Sequence, residues 1–213
     1  MRQLWLATGN AKKRAELERL LAPLAIALHT PAELGAPFAP VEDQPDFAGN
    51  ARGKARALAL LARAVALADD SGLCVDALGG RPGVHSARYG GPGLDDRQRM
   101  QRLLAELDAV PDNGRTAHFT CSLCLCGPDG RVRAAVEERC EGVLLRAPRG
   151  IAGFGYDPIF VARAVQDRAP AGPAMAPTFA ELDAATKDRI SHRGRALARL
   201  AELLARDPAL LAP

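Results

Sequence analysis

Ala68-Asp69-Asp70-Ser71-Gly72-Leu73-Cys74-Val75-Asp76 is the stretch on which the fold turns. The apolar run Val65-Ala66-Leu67-Ala68 leads into it, and Leu73, Val75 and Ala77 alternate with other residues after it. Apolar runs and period-two alternation predict strand on both sides. Ser71-Gly72 between them predicts a turn. Two carboxylates at a strand end, beside a turn with free backbone N–H groups, suit a hard cation and a phosphate. The same residue types also make an ordinary solvated turn, so the neighbouring segments decide between the two.

Working upstream, Arg2 to Ala7 reads as a first strand, broken by Thr8-Gly9-Asn10. Ala11 to Leu21 then has helical spacing at Leu17, Leu20 and Leu21, with Asn10 as N-cap and Pro23 as its close. A strand, a glycine-bearing turn and a helix with early lysines aim N–H groups and the positive helix end at an anion. The Walker pattern G-x-x-x-x-G-K-[ST] is absent. Ala25 to His29 reads as a second strand, and the Pro-rich segment Pro31 to Pro45 carries Glu42-Asp43. From Phe47 a long helix is expected, with Phe47, Ala51, Ala55, Leu58, Ala62 and Val65 on one face. Asn50 and Lys54, four apart, stack together beside that face.

Downstream, Gly79 to Gly93 is a long glycine-rich loop, a kind that often carries function. Asp95 can cap a helix with a stripe of Met100, Leu103, Leu104 and Leu107. Arg115 to Cys126 alternates as a strand, turns at Pro128-Asp129-Gly130, and returns through Val132, Ala134 and Val136 as a hairpin. Cys121 and Cys124 are an odd number of positions apart, so a strand sends them to opposite faces and they cannot share a metal. Phe154 stands between Gly153 and Gly155, ahead of a strand expected over Pro158 to Val161. An aromatic held between glycines suits stacking on a planar ring, or a hydrophobic plug. Arg163 to Thr178 is Ala- and Pro-rich and reads as a surface excursion, and Glu181 to Ile190 as a short helix. Ser191 can cap a last helix with Leu197, Leu200, Leu203 and Leu204 inward, which puts His192 and Arg193 in its first turn. Cations there oppose the helix dipole, and a broken local rule points to function.

At 213 residues, 48% hydrophobic and 25% charged, the chain has the composition of a globular protein with ample core. A net charge of +3 gives no footprint for a nucleic-acid polymer. No apolar run approaches about 18 residues, so no membrane span is expected. Five cysteines without a framework of spacings suit a reducing compartment, and a cytoplasmic location is expected.

Five segments stand in order: Thr8-Gly9-Asn10-x-x-Lys13, Phe47-x-x-Asn50-Ala51-x-x-Lys54-Ala55, Asp69-Asp70-Ser71-Gly72-Leu73-x-Val75-Asp76, Gly153-Phe154-Gly155-Tyr156-Asp157-Pro158 and Ser191-His192-Arg193-Gly194. Together they resemble the inosine/xanthosine triphosphate pyrophosphatase family, along essentially the whole chain. The resemblance implies an α/β fold in one domain over residues 1–213: a long twisted mixed sheet flanked by helices, with two lobes, a cleft between them, and a homodimer. It implies Mg²⁺-dependent cleavage of inosine, deoxyinosine or xanthosine triphosphate between the α and β phosphates. Carried over by position, Thr8, Gly9, Asn10 and Lys13 would hold the phosphate tail. Glu42 and Asp70 would bracket the metal, Asp70 serving as base for the attacking water with Lys54 nearby. Ser71 and Gly72 would add phosphate contacts, and Phe154 would stack on the base beside Gly155, Tyr156 and Asp157. Lys187, His192 and Arg193 would read the base edge. A nucleotide sensor could dispense with the carboxylates, and a hydrolase acting through an aspartyl-phosphate would release orthophosphate. Both remain as alternatives of another class.

Overall fold

Strand β1 (Gln3–Leu6) gives way to helix α1 (Ala11–Leu21) where Asn10 Oδ1 accepts the N–H groups of Lys12 and Lys13. In the computed structural model, which describes residues 2–35, 37–167 and 175–213, the chain continues as β2 (Ala27–His29), α2 (Phe47–Ala62), β3 (Ala66–Val75) and α3 (Asp96–Glu106). The hairpin strands β4 (Thr116–Cys126) and β5 (Val132–Leu144) follow, then β6 (Phe160–Ala162), α4 (Arg163–Gln166), α5 (Ala184–Ile190) and α6 (His192–Arg206). One six-stranded sheet has the order β2-β1-β3-β4-β5-β6. Strand β1 runs parallel to β2 and β3, whereas β5 and β6 are antiparallel, so the sheet is mixed, in an α/β fold.

The Ser71-Gly72 turn is not there. Strand β3 runs unbroken through Asp69, Asp70, Ser71 and Gly72 to Val75. Each aspartate meets its own cations, described below, so the ladder need not break to solvate them. The alternation ends before Ala77, which lies in the 3-10 turn Asp76–Leu78. Helix α2 stops at Ala62 because Arg63 adopts a left-handed backbone (φ 50°), so the buried Val65 belongs to the approach to β3. A left-handed Ala25 (φ 51°) likewise delays β2. Pro158 falls in the 3-10 turn Asp157–Ile159, which pushes β6 on to Phe160. The expected excursion after Arg163 opens with α4 and closes with Ala176 and Thr178 fully buried; residues 168–174 lie outside the described part. Asp183 caps α5, so that helix starts later than Glu181.

The chain divides into two compact units: Met1–Asp70, Cys121–Glu138 and Arg193–Pro213 in the first, Ser71–Thr120 and Arg139–His192 in the second. Leu4, Leu6, Leu17, Leu67, Leu123 and Leu200 lead the core of the first. Burying each such side chain stabilises by about 1.5–3 kcal/mol. A smaller group in the same unit sets Ala51, Ala55 and Leu58 of α2 against Ala66, Ala68 and Cys124. Cys121 faces one cluster and Cys124 the other, as strand alternation requires. The core of the second unit sets an aromatic group among aliphatic side chains: Phe119 lies 4.8 Å from Phe160 and 6.0 Å from Phe179, ring centre to ring centre.

Candidate active site

Helix α2 brings the first cluster together. Lys54 Nζ lies 2.7 Å from Asp70 Oδ1 and 2.8 Å from Glu42 Oε1. One turn earlier on the helix, Asn50 Nδ2 donates to Asp70 Oδ2 at 3.3 Å, and Asn50 Oδ1 accepts the N–H of Gln44 at 3.1 Å. Asn50, Lys54 and Asp70 are all buried. Burial pushes the Asp70 carboxyl up; Lys54 offsets part of this and Glu42 adds to it, leaving the carboxyl above its ordinary range. Burial pushes Lys54 down, but Asp70 and Glu42 override it and hold the ammonium above its usual value.

Asp69 sits in a second web. Lys13 Nζ lies 2.6 Å from Asp69 Oδ1, Arg193 Nε donates to Oδ2 at 3.1 Å, and Cys121 Sγ stands 3.3 Å from Oδ2. Arg193 also pairs with Glu16 through Nη1. Burial pushes the Asp69 carboxyl up, but Arg193 and Lys13 override it and hold it far below the carboxylate range. Burial, reinforced by Asp69, pushes the Cys121 thiol up, so it stays protonated and donates. The Thr8-Gly9-Asn10 turn lies just ahead of Lys13. Asn10 Oδ1 occupies two of the early N–H groups of α1, so those two are not open to an anion as expected, while the space over Gly9 is clear.

The second unit assembles Phe154, Asp157 and Lys187. Asp157 Oδ2 accepts the N–H of Phe154 at 2.8 Å and pairs with Lys187 Nζ at 2.8 Å. Lys187 Nζ stands 5.2 Å from the centre of the Phe154 ring, a cation–π distance. Glycine is required at 153: φ is +73°, and a Cβ would lie 2.2 Å from Asp157 Oδ2. Tyr156 is buried and donates its hydroxyl to the Ser86 carbonyl at 3.1 Å.

His192 and Arg193, both expected at a base edge, each have protein partners as well. His192 is buried and stacked on Phe119, with ring centres 4.7 Å apart. Arg193, at the start of α6, directs two of its guanidinium nitrogens to Asp69 and Glu16, which supply the negative charge that the helix dipole withholds there. Ser71 is half-buried on β3 and Gly72 buried beside it. Neither Glu16 nor Cys121 carries a signal in the sequence for its place beside Asp69. The four-residue spacing of Asn50 and Lys54 is the signal for a role beside Asp70.

Two carboxylate oxygens that converge on one ammonium form a donor set of the kind a hard divalent cation takes. Among the described residues no group of three or more His, Cys, Asp or Glu side chains could hold a metal ion by itself. Further ligands would therefore come from substrate oxygens and water, as Mg²⁺ usually accepts them.

A family model for the Ham1 family matches residues 4–203. The chain belongs to the Ham1 family. Its relatives include a dITP/XTP pyrophosphatase of Desulforamulus reducens, 45% identical over 204 residues, covering 96% of each chain. Another, from Gloeobacter violaceus, is 48% identical over 201 residues, covering 94% of this chain and 93% of that one. Among solved structures, a Ham1 protein from Coxiella burnetii superimposes with a TM-score of 0.83 at 38% identity, covering 97% of this chain and 100% of that one. A nucleoside-triphosphatase described as a dITP/XTP pyrophosphatase, from Mycobacterium abscessus, does so at 0.72 and 41% identity, covering 93% and 98%. Among the described residues no helix is long and apolar enough to cross a membrane.

Proposed function

We propose that this Ham1-family chain hydrolyses inosine, deoxyinosine and xanthosine triphosphates to the monophosphate and pyrophosphate. The observation that carries the reading is the convergence of Glu42 and Asp70 on Lys54, within a chain 45% identical to a dITP/XTP pyrophosphatase. In this reading the whole of residues 1–213 is one catalytic domain. Lys13 and Lys54 bind phosphate oxygens, and Ser71 adds a hydroxyl contact. Glu42 and Asp70 hold a divalent cation, which we take to be Mg²⁺. When bound, that cation supplies charge neutralisation and a more acidic water. Asp70 takes a proton from the water that attacks the α-phosphorus, and the α–β bridging oxygen leaves with pyrophosphate. Its raised carboxyl makes it a stronger base than an ordinary aspartate. Asn50 and Lys54, bonded to opposite oxygens of Asp70, fix its orientation. Phe154 and Lys187 take the base, by stacking and by an ammonium donor.

Pyrophosphate release is to be measured across canonical and deaminated triphosphates, with and without Mg²⁺. Monophosphate and pyrophosphate from inosine or xanthosine triphosphate, lost in chelator, support the reading. Orthophosphate and diphosphate as first products, or full activity in chelator, overturn it. The resemblance further suggests a cytoplasmic homodimer, which sedimentation of the purified chain tests. Among the described residues no cysteine forms a disulfide.

A further inference from the structure

Three consecutive residues, Phe154, Gly155 and Tyr156, are each held from a different place. The N–H of Phe154 donates to Asp157 Oδ2 at 2.8 Å. The N–H of Gly155 donates to Asp96 Oδ2, in the first turn of α3, at 3.1 Å. The Tyr156 hydroxyl donates to the carbonyl of Ser86, inside the glycine-rich loop Gly79–Gly93, at 3.1 Å. Ser86 is itself clamped: its Oγ donates to the Gly83 carbonyl at 2.7 Å and accepts the N–H of Leu73 at 2.9 Å. Leu73 lies on β3 two residues after Ser71.

We propose that Asp96 and Ser86 are positioning residues for the Phe154 segment, setting nucleotide affinity and base discrimination without touching the nucleotide. The proposal rests on the reading of Phe154 as the residue that stacks on the base. Gly153 and Gly155 flank Phe154 with φ of +73° and +60°, so the backbone there has little stiffness of its own. The ring keeps one orientation because its neighbours are tied to α3 and to the loop. Burial pushes the Tyr156 phenol up, which keeps its hydroxyl a donor across the physiological range. Each tie limits the conformations the segment must give up on binding, so its loss falls on affinity. The carboxylates that serve the chemistry lie elsewhere, Glu42 in the segment before α2 and Asp70 near the middle of β3, so turnover is spared.

The test compares wild type with Tyr156→Phe, Asp96→Ala, Asp96→Asn and Ser86→Ala, following pyrophosphate release from inosine and adenosine triphosphates. Tyr156→Phe and Asp96→Ala are expected to raise KM for inosine triphosphate about tenfold, the upper end for one hydrogen bond, with kcat within about twofold. The ratio of kcat/KM between the two substrates should narrow. Asp96→Asn keeps an oxygen acceptor for the Gly155 N–H and should restore most of the lost affinity. Ser86→Ala should combine a raised KM with faster amide exchange in residues 79–93. Wild-type KM and discrimination in Tyr156→Phe and Asp96→Ala overturn the proposal, even if their Tm falls, because a structural role alone lowers Tm and leaves KM. If Tyr156→Phe does not fold, the exposed Asp96 pair decides. A wild-type enzyme that releases no pyrophosphate from any purine triphosphate overturns the functional reading itself, and that arm is scored first.

Discussion

Asp69 and Asp70 are neighbours on β3, yet their carboxylates are held by different cations: Lys13 and Arg193 for the first, Lys54 for the second. Strand alternation sends consecutive side chains to opposite faces, so one dipeptide serves two sites. Asp70 shares its cation with Glu42, and Asp69 shares Arg193 with Glu16.

Lys54 is the cation that keeps Glu42 and Asp70 compatible. Lys54→Met leaves a buried carboxylate unpaired beside another, and is expected to destabilise the metal-free protein by about 3 kcal/mol. Millimolar Mg²⁺ should then raise the Tm of Lys54→Met more than that of wild type, since the ion replaces the missing charge. Thermal melts with and without Mg²⁺ check this; equal shifts would remove Glu42 and Asp70 as the metal site.

Asp70→Asn keeps the shape of the side chain and one oxygen acceptor. If Asp70 activates water, kcat falls by about 10²–10⁴ while nucleotide binding in calorimetry stays within severalfold. Near wild-type turnover in a folded Asp70→Asn protein takes Asp70 out of the mechanism.

Arg193→Ala strips the buried Asp69 of a cation, and a stability loss of about 3 kcal/mol is expected. Because Arg193 is engaged with Asp69 and Glu16, activity on inosine and adenosine triphosphates should fall in the same proportion. Phe154→Ala should likewise weaken both, since stacking of about 1–3 kcal/mol is available to any base. A selective loss on inosine triphosphate in Arg193→Ala would instead assign that residue to the base edge.

Glu106 accepts the Tyr89 hydroxyl at 2.7 Å and pairs with Arg102 and Arg81. The Tyr89 bond, with help from those arginines, holds its carboxyl below the ordinary value. A depressed folded pKa gives stability that is full above the unfolded value, about 4.3, and is lost as pH falls through the folded one. The Tm gap between wild type and Glu106→Gln should therefore be flat above about pH 5.5 and close below about pH 4. A gap that widens on acidification contradicts the assignment.

Much of this was legible because local rules agree with the fold. Asn10, Asp95 and the stripe Met100, Leu103 and Leu107 all do locally what the tertiary structure asks. Propensity points to a turn at Ser71-Gly72 because it says nothing of cations arriving from α1, α2 and α6 to neutralise two adjacent aspartates inside a strand. The same blindness hid Glu16: on its own helix it reads as an ordinary surface residue, and its pairing with Arg193 lies 177 positions away. His192 and Arg193 stood out because they oppose a helix dipole. The sequence could not show that the oddity is answered by a buried ion pair and an aromatic stack.

The bond between Arg193 and Asp69 joins positions 124 residues apart in the chain. During synthesis, at roughly 5–20 residues per second, β3 leaves the ribosome many seconds before α6. Throughout that interval Asp69 has only Lys13 of its two cationic partners. The web around it closes only once α6 is made. A chain released early, before α6, therefore lacks one of the charges that neutralise Asp69, the immediate neighbour of the candidate base. A product that stops short of α6 carries Asp69 and Asp70 without Arg193.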